Sequence, residues 1–386
     1  GNPDYTFKWN TTPVQTTKKA NRVTTIPLAG FIACWIAPAA LFFIIRRAVL
    51  GTTVGLPLSF TIENFLKNLP ALIQYTGKML LPFNLSTFPI LPDTTFIFGI
   101  VTVVTLLFFL IRSKNLRKNY LMLGCCWLLL FLSPAILRTN DNYESVFLEH
   151  RLYFPIIGFF LLWLETDLLK NTRFENPIPA FVAGGLVMLF LIISFNQRNH
   201  YKDEFSYWSN AVATSPGASF AHKGLGTNLF TAGKYPEAEK EYETAIQLNP
   251  GLKEVRNNLG RIYLNNGQND KAEQLFHEEL RINPTNAAAW YNLGLIRLNE
   301  KNIPAAETMV RKSLEVDPNY TDAQNDLCVI LAMQKKYDEA TLLCIKILEA
   351  NPGYESAKKN LNLIFNAWEN SEKVNYYKNL MSEKGL

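Results

Sequence analysis

The part of the chain that decides the fold is a stretch repeated with a period of 34 residues. Its first copy, residues 216–249, reads PGASFAHKGLGTNLFTAGKYPEAEKEYETAIQLN. The register is set by prolines that stand 34 residues apart, at Pro216, Pro250, Pro284, Pro318 and Pro352. Small and apolar residues keep the same phase, namely Leu225-Gly226, Leu259-Gly260, Leu293-Gly294, Ala238, Ala272, Ala306 and Ala340. So long a run in one register indicates a true structural repeat.

This spacing is typical of the tetratricopeptide repeat (TPR), a helix–turn–helix unit in which small residues let two helices approach and proline ends the second helix. We predict a half-repeat at Glu204–Ser215, three well-formed repeats, and a fourth repeat with Cys328 in place of glycine. Residues 355–369 and 371–383 are predicted to be terminal helices, because the open end of a repeat array needs a cover.

Composition divides the chain into two halves. Residues 24–196 are dense in Leu, Ile, Phe and Val, whereas residues 201–386 are rich in Lys, Glu, Asn and Gln. We therefore predict an all-α protein in which polytopic transmembrane helices are followed by a TPR α-solenoid. The predicted parts are a polar flank (1–23), a membrane portion (24–200), the solenoid (201–370) and a C-terminal capping helix (371–386).

Five apolar runs are candidate membrane spans, at about residues 24–45, 94–111, 119–137, 152–168 and 178–196. The segment Phe60–Phe83 contains Pro70, Pro82 and two lysines, which favours an interfacial or re-entrant helix. The positive-inside rule places the basic loops 112–118 and 170–173 and the N-terminal flank in the cytoplasm. Loop 50–93, loop 138–151 and the TPR array then lie on the opposite face.

Other side chains give weaker signals. The formal net charge of +5 is small and spread along the chain, and it does not indicate nucleic-acid binding. The five cysteines lack metal-ligand spacing, and Cys328 and Cys344 occupy inward positions of one repeat, where we interpret them as small core residues rather than a disulfide. The isolated His200, His222 and His277 are predicted to lie on the surface.

Several phrases outside the repeats resemble one enzyme family. They are Arg46–Gly51 (RRAVLG), Tyr75–Ser86 (YTGKMLLPFNLS), Glu149–Pro155 (EHRLYFP) and the junction Tyr207-Trp208. In this order, followed by TPRs, they are similar to the transmembrane-and-TPR glycosyltransferases of the GT-C class, which include protein O-mannosyltransferases and many bacterial relatives. The resemblance implies a hexosyltransferase that moves a sugar from a polyprenyl-phosphate donor to an acceptor, here a protein held by the TPRs.

Two further expectations come from this resemblance. Members of the class carry acidic catalytic residues in an outward loop before this region. The chain is therefore expected to be the C-terminal part of such an enzyme, and its catalytic residues are unknown. The phrase His150-Arg-Leu-Tyr is similar to bacterial members. It favours a bacterial inner membrane with periplasmic TPRs, with an endoplasmic-reticulum membrane and lumenal TPRs as the alternative.

A lipid-phosphate leaving group at the outer interface calls for cations and hydrogen-bond donors there. The predicted topology places six candidates for this role on or beside that face: Arg46, Arg138, Glu149, His150, Arg151 and Tyr153. The alternative is that they are interfacial anchors whose polar ends reach the headgroups. No cofactor is evident, and a requirement for a divalent metal stays open.

In the TPR half, polar side chains on the first helix of each repeat are expected to line a peptide-binding groove. The candidates are Lys223, Asn257, Asn258, Arg261, Tyr291, Asn292 and Asn325. Asn258 and Asn292 hold one fixed site in successive repeats, so their amides are predicted to form a ladder that holds an extended peptide backbone. It resembles the ladder in the TPRs of nucleocytoplasmic O-linked N-acetylglucosamine transferase. The alternative is that asparagine is simply tolerated at this site.

Two functions of different classes follow. The first is the C-terminal part of a membrane glycosyltransferase, with lipid-linked sugar and an acceptor protein as partners. The second is a non-catalytic, membrane-anchored TPR scaffold that gathers other proteins. Neither of them involves nucleic acid.

Overall fold

The computed structural model describes residues 66, 68–80, 85–90, 92–93, 95–136, 154–170 and 177–385. These residues belong to one unit, Ser59–Leu386. Their regular structure is helical, which confirms the predicted all-α class with a TPR-like solenoid.

The described helices of the apolar half are α1 (Ala71–Leu80), α2 (Ile97–Arg112), α3 (Lys118–Ile136), α4 (Pro155–Leu164), the short α5 (Asp167–Lys170) and α6 (Pro177–Gln197). Tyr75 of α1, Leu106 of α2 and Phe159 of α4 meet in a shared core. By contrast, α2 and α6 expose long apolar side chains such as Ile111 and Phe181.

The predicted membrane spans are not confirmed. Within the described part of the chain, no helix combines the length and the apolarity needed to cross a membrane. For example, α2 has 16 residues and α4 has 10, whereas a span needs about 20. The first predicted span, residues 24–45, lies outside the described residues, as does most of Phe60–Phe83 before Pro70.

Lys170, the described residue of the loop 170–173, lies beside the loop 112–118. That both loops face the cytoplasm stays a prediction. Arg117 of the first loop and Lys170 after α4 both bind the buried carboxylate of Glu165, at 2.6 Å and 2.5 Å. The backbone N–H of Lys114 donates to Asp167 at 2.9 Å. These bonds join the α2–α3 loop to α5 at the C-terminal end of α2.

The repeats fold into the predicted pairs of packed helices. The half-repeat is α7 (Glu204–Thr214), and the pairs are α8 (Ser219–Thr231) with α9 (Tyr235–Leu248), α10 (Val255–Asn265) with α11 (Asn269–Ile282), α12 (Ala287–Asn299) with α13 (Ile303–Val316), and α14 (Thr321–Met333) with α15 (Tyr337–Ala350). The terminal helices are α16 (Glu355–Ala367) and α17 (Ser371–Glu383). First helices of successive repeats contact one another, for example α10 with α12 and α14 with α16. They therefore form one face, which we call the groove.

Each repeat closes by matching a small residue on its first helix to a larger one on its second. A Cβ atom at Gly260 would lie 2.6 Å from the Phe276 ring, and one at Gly226 would lie 2.8 Å from the Tyr242 ring. In the fourth repeat, cysteines hold both positions: Cys328 stands at the glycine site and Cys344 at the aromatic site. Both are buried free thiols, as predicted.

The repeat prolines have a second role that the sequence did not reveal. Four chemically different side chains, each six residues after a repeat proline, donate to that proline's carbonyl oxygen: His222, Arg256, Trp290 and Gln324. The prediction that His222 lies on the surface was therefore wrong. His222 is 7% exposed, and its ring also bonds Glu241 at 2.6 Å. These donors satisfy carbonyls that the turn leaves without a helical partner.

The N-terminal end of the array is closed by a segment from the apolar half. We call residues 85–90, 92 and 93 the capping segment. Thr87 and Tyr207 exchange hydrogen bonds, since each hydroxyl donates to the other residue's carbonyl, at 2.8 Å and 2.9 Å. Phe88 and Ile90 are buried against Ala211, Ala218 and Ala221. Asp93 accepts the Gly217 N–H at 2.6 Å. The two halves of the chain therefore share a core.

Candidate functional site

Each first helix carries two successive groove positions. Apart from Gly224, the residues at these positions have polar or aromatic side chains. The first position holds Lys223, Asn257, Tyr291, Asn325 and Lys359, and the second holds Gly224, Asn258, Asn292, Asp326 and Asn360. All seven residues predicted for the peptide groove are described in the structure, and each lies on a first helix.

Hydrogen bonds join the first position of one repeat to the second position of the next. Asn292 Nδ2 donates to Asn257 Oδ1 at 2.8 Å, across 35 residues. The Tyr291 hydroxyl donates to Asp326 Oδ2 at 2.8 Å, again across 35 residues. Asn360 Nδ2 completes the series by donating to Asn325 Oδ1 at 2.8 Å. These three bonds, which we call the groove ladder, link four successive first helices.

Bonds within α10 and within α14 extend the groove ladder. Asn257 Nδ2 donates to Asn258 Oδ1 at 3.4 Å, and Asn325 Nδ2 donates to Asp326 Oδ1 at 3.3 Å. Asn257 and Asn292 are each 5% exposed, so their bond is a buried one. Asn258 and Asn292 were predicted to present their amides to a ligand side by side. In the structure Asn258 bonds Asn257, which in turn bonds Asn292, and the peptide-binding role stays a prediction.

Burial governs the electrostatics around Asp326. It raises the pKa of the Asp326 carboxyl, although hydrogen bonds from Tyr291 and Asn325 act in the opposite direction. Burial also raises the pKa of Tyr291, and the charge of Asp326 raises it further. Tyr291 is therefore a neutral donor at ordinary pH. Its ring packs edge-on against Tyr320, with centroids 5.2 Å apart.

Two predicted cations of the groove differ in their surroundings. The Lys223 ammonium is held by Glu254 Oε2 at 2.6 Å and by the Lys253 carbonyl at 3.2 Å. Arg261 is exposed, and its guanidinium lies 4.7 Å from the centre of the Phe230 ring. Among the described residues, no carboxylate forms an ion pair with Arg261.

Sequence reasoning missed several groove residues. Asp322 is exposed and accepts the Tyr354 hydroxyl at 3.1 Å. Asn360 belongs to the groove ladder, and its spacing of 34 residues from Asp326 was a signal that could have identified it. Tyr354 stands 34 residues after Tyr320, which was a signal of the same kind, whereas the sequence offered no comparable signal for Asp322.

The other predicted site falls where the structure gives no description. Arg46, Arg138, Glu149, His150, Arg151 and Tyr153, the candidates for binding a lipid phosphate, all lie outside the described residues. Their roles stay predictions. Within the described ranges, no group of three or more His, Cys, Asp or Glu side chains could hold a metal ion.

Several solved structures have a backbone similar to part of this chain. The crystal structure of MamA matches with 20% identity and a TM-score of 0.37, covering 43% of this chain and 91% of that one. YrrB, described as a TPR protein with an unusual peptide-binding site, has 17% identity, a TM-score of 0.34, and coverage of 45% and 97%. PilF of Pseudomonas aeruginosa has 19% identity, a TM-score of 0.34, and coverage of 50% and 94%. No curated protein sequence matches the chain.

Family models give the more specific result. Residues 229–293 and residues 287–320 each match a model of the tetratricopeptide repeat. Together these two segments contain α9 to α13, with Leu259-Gly260, Leu293-Gly294 and the alanines and prolines of the 34-residue period between them. The chain therefore contains tetratricopeptide repeats.

Proposed function

We propose that this protein is a membrane-anchored scaffold whose groove binds an extended segment of a partner protein. The observation that carries the proposal is the groove ladder. It fixes the polar side chains of four first helices before any ligand arrives, and binding to fixed groups loses less conformational entropy than binding to mobile ones.

The groove also offers charges that a partner could use. The exposed guanidinium of Arg261 and the exposed carboxylate of Asp322 lie on first helices two repeats apart. Between them stand the Tyr291 and Tyr320 rings, which add apolar contact area. An extended segment with an acidic residue near Arg261 and a basic residue near Asp322 would complement this surface.

Exposed apolar helices support the membrane part of the proposal. Large apolar side chains on α2 and α6 are exposed at Ile97, Ile100, Val104, Leu107, Ile111, Phe181, Val187, Met188, Leu191, Ile192 and Phe195. Soluble surfaces rarely expose contiguous apolar patches of this extent, and lipid would cover them. The loop 112–118 and Lys170 lie at the C-terminal end of α2, and the capping segment precedes its N-terminal end. This order suits an anchor with TPRs on one side and basic loops on the other.

Peptide selection with matched variants tests the scaffold. Peptides selected from a random library on the full chain in lipid nanodiscs should lose affinity with Arg261→Ala and Asp322→Asn. They should keep it with Arg281→Ala and Asp270→Asn, which alter exposed residues on the second helix α11. If both pairs of variants lose affinity equally, or if neither pair loses any, the groove is not the binding surface.

The second candidate is the glycosyltransferase, and one observation favours it. The end of one phrase that resembles the GT-C class lies beside the helix that carries another. Ser86, the end of Tyr75–Ser86, bonds Thr214 at 2.6 Å, and Thr87 beside it bonds Tyr207 of the junction phrase. A sugar-transfer assay with polyprenyl-phosphate sugar on membranes containing the full-length gene product tests this candidate. Transfer that falls with Arg151→Ala would support it, and no transfer above background would count against it.

A further inference from the structure

A cleft opens at the N-terminal end of the groove, where the half-repeat meets the first repeat. It has a volume of about 610 Å³ and lies between the segment Tyr201–Trp208 and helix α8. Its walls are mostly aromatic, formed by Tyr201, Tyr207, Trp208 and Phe220. Because Lys223 and Gly224 also line it, the cleft is continuous with the groove positions described above.

The aromatic walls are held in place from behind. Tyr207 and Trp208 pack edge to face with centroids 4.9 Å apart, and Tyr201 and Tyr207 are 5.9 Å apart. Trp208 also contacts Phe88 of the capping segment, at 5.7 Å between centroids, and the Tyr207 hydroxyl is bonded to the Thr87 carbonyl. Gly224 lets the indole of Trp208 lie directly against helix α8, because any side chain there would collide with it.

The charged groups of the cleft leave it acidic. Asp203 and Glu204 line it, and no ion pair is formed by Glu204 within the described residues. Asp203 uses one carboxylate oxygen to accept the Ser206 N–H at 2.7 Å. The third charged lining residue, Lys223, is already held by Glu254 at 2.6 Å. Lys202, which neighbours Asp203 in sequence, does not line the cleft.

Aromatic faces beside carboxylates are suited to one kind of side chain. A guanidinium is planar, stacks on aromatic rings and pairs with carboxylates through several N–H donors. An ammonium makes the same electrostatic contacts with poorer geometry. An acidic side chain would meet repulsion from Asp203 and Glu204, and a purely apolar one would leave both carboxylates without a counter-charge.

We infer that this cleft receives an arginine side chain of the partner protein whose extended segment lies in the groove. The inference rests on the proposed scaffold function and adds to it the chemistry of one anchoring residue. The partner chain would run from the cleft, past Lys223, towards Arg261 on the next first helix.

The test uses two labelled probe peptides on the full chain in lipid nanodiscs. Both are ten residues of Gly, Ser and Asn with blocked ends; one has two arginines, and the other has citrulline at those sites. Citrulline keeps the planar shape but lacks the charge. Fluorescence anisotropy should show that the arginine peptide binds more tightly than the citrulline peptide. Equal affinities would overturn the inference.

Protein variants locate the contact. Asp203→Asn with Glu204→Gln should weaken the arginine peptide about three- to thirtyfold, since two exposed charge contacts are lost. Asparagine still caps helix α7, so the fold is kept. Tyr201→Leu provides a second variant that leaves the carboxylates intact, and it should weaken binding severalfold. The matched control, Glu237→Gln with Asp270→Asn, removes two exposed first-turn acids elsewhere and should change nothing. Unchanged affinity in the Asp203/Glu204 variant would overturn the assignment.

The result is separable from that of the groove test. Arg261→Ala and Asp322→Asn alter residues that do not line the cleft and should leave the preference for arginine over citrulline unchanged. If those variants fail to affect selected peptides while the cleft variants abolish the arginine preference, the groove proposal fails and the cleft assignment stands. In the opposite pattern, the groove proposal stands and the cleft assignment fails.

Discussion

The side-chain amide of Asn292 donates a 2.8 Å hydrogen bond to the amide oxygen of Asn257, on the first helix of the preceding repeat. Both side chains are buried, and the bond crosses the boundary between two repeats. These asparagines therefore hold adjacent repeats in one arrangement as well as lining the groove. The role of asparagine here is partly structural, which changes what its removal should do.

Single replacement of either asparagine by Ala should destabilise the α10–α12 boundary. The remaining buried amide loses its partner, at a cost of about 1–3 kcal/mol. The double variant Asn257→Ala with Asn292→Ala should lose less free energy of unfolding than the two single variants lose in sum. In the double variant, neither partner of this bond is left buried and unpaired. Hydrogen exchange of the α10 and α12 amides measures these free energies. Asn299→Ala, at an exposed position of α12, is the control. Additive losses would show that the bond carries no coupling.

Gly260→Ala should destabilise the protein, although alanine favours helix formation more than glycine does. The added Cβ would lie 2.6 Å from the Phe276 ring, and overpacking of this kind costs about 1–3 kcal/mol. Gly260→Cys should likewise destabilise, and adding Phe276→Cys should recover part of the loss, since that pair reproduces Cys328 and Cys344 of the fourth repeat. Thermal unfolding followed by circular dichroism compares the three variants. No recovery in the double variant would contradict the matched-pair interpretation.

The contact between the third and fourth repeats should weaken in acid. Burial alone would raise the pKa of Glu307, but hydrogen bonds from Arg311, Gln334 and Lys336 outweigh it and lower the pKa to about 2. An unfolded Glu has a pKa of about 4.3. Because the folded pKa is the lower one, the stabilisation is fully present above the unfolded value and is lost as pH falls towards 2.

We expect this carboxylate to contribute about 1–2 kcal/mol near neutral pH, allowing for solvent screening of its partly exposed partners. Glu307→Gln should remove that part of the pH dependence of unfolding between pH 5 and pH 2, roughly the window between the two pKa values. Glu315→Gln, which alters an exposed carboxylate on the same helix, should leave the profile as it is in the unmodified protein. An unchanged profile in Glu307→Gln would refute the assignment.

The capping segment should be needed for the stability of the first repeat. Phe88 stacks on Phe220 with centroids 5.6 Å apart and contacts Trp208. Phe88→Ala should therefore cost about 3–5 kcal/mol, the range for buried aromatic truncations. The effect should appear as faster hydrogen exchange in α7 and α8, with α14 to α16 little changed, because contacts in a repeat array are local. Leu363→Ala, at an exposed site on α16, is the control. Uniform destabilisation along the array would contradict a local cap.

The sequence alone determined the repeat architecture. A period of 34 residues specifies which positions are small, apolar or proline, and those residue types act locally by permitting close helix approach or ending a helix. The helix pairs, the terminal helices and the placement of Cys328 and Cys344 in a core followed from it. The polar residues of the first helices could likewise be assigned to the groove, since all seven predicted residues lie on those helices.

Only the tertiary structure decided how those polar residues pair. The groove ladder joins residues 35 apart rather than 34, because the first position of one repeat meets the second position of the next when neighbouring helices pack with an offset. No periodicity indicates that His222, Arg256, Trp290 and Gln324 share the role of bonding a proline carbonyl, since they have no chemistry in common beyond an N–H donor. The capping segment bonds Tyr207 across 120 residues. Such a contact depends on how the whole unit packs, and no local preference of the chain encodes it.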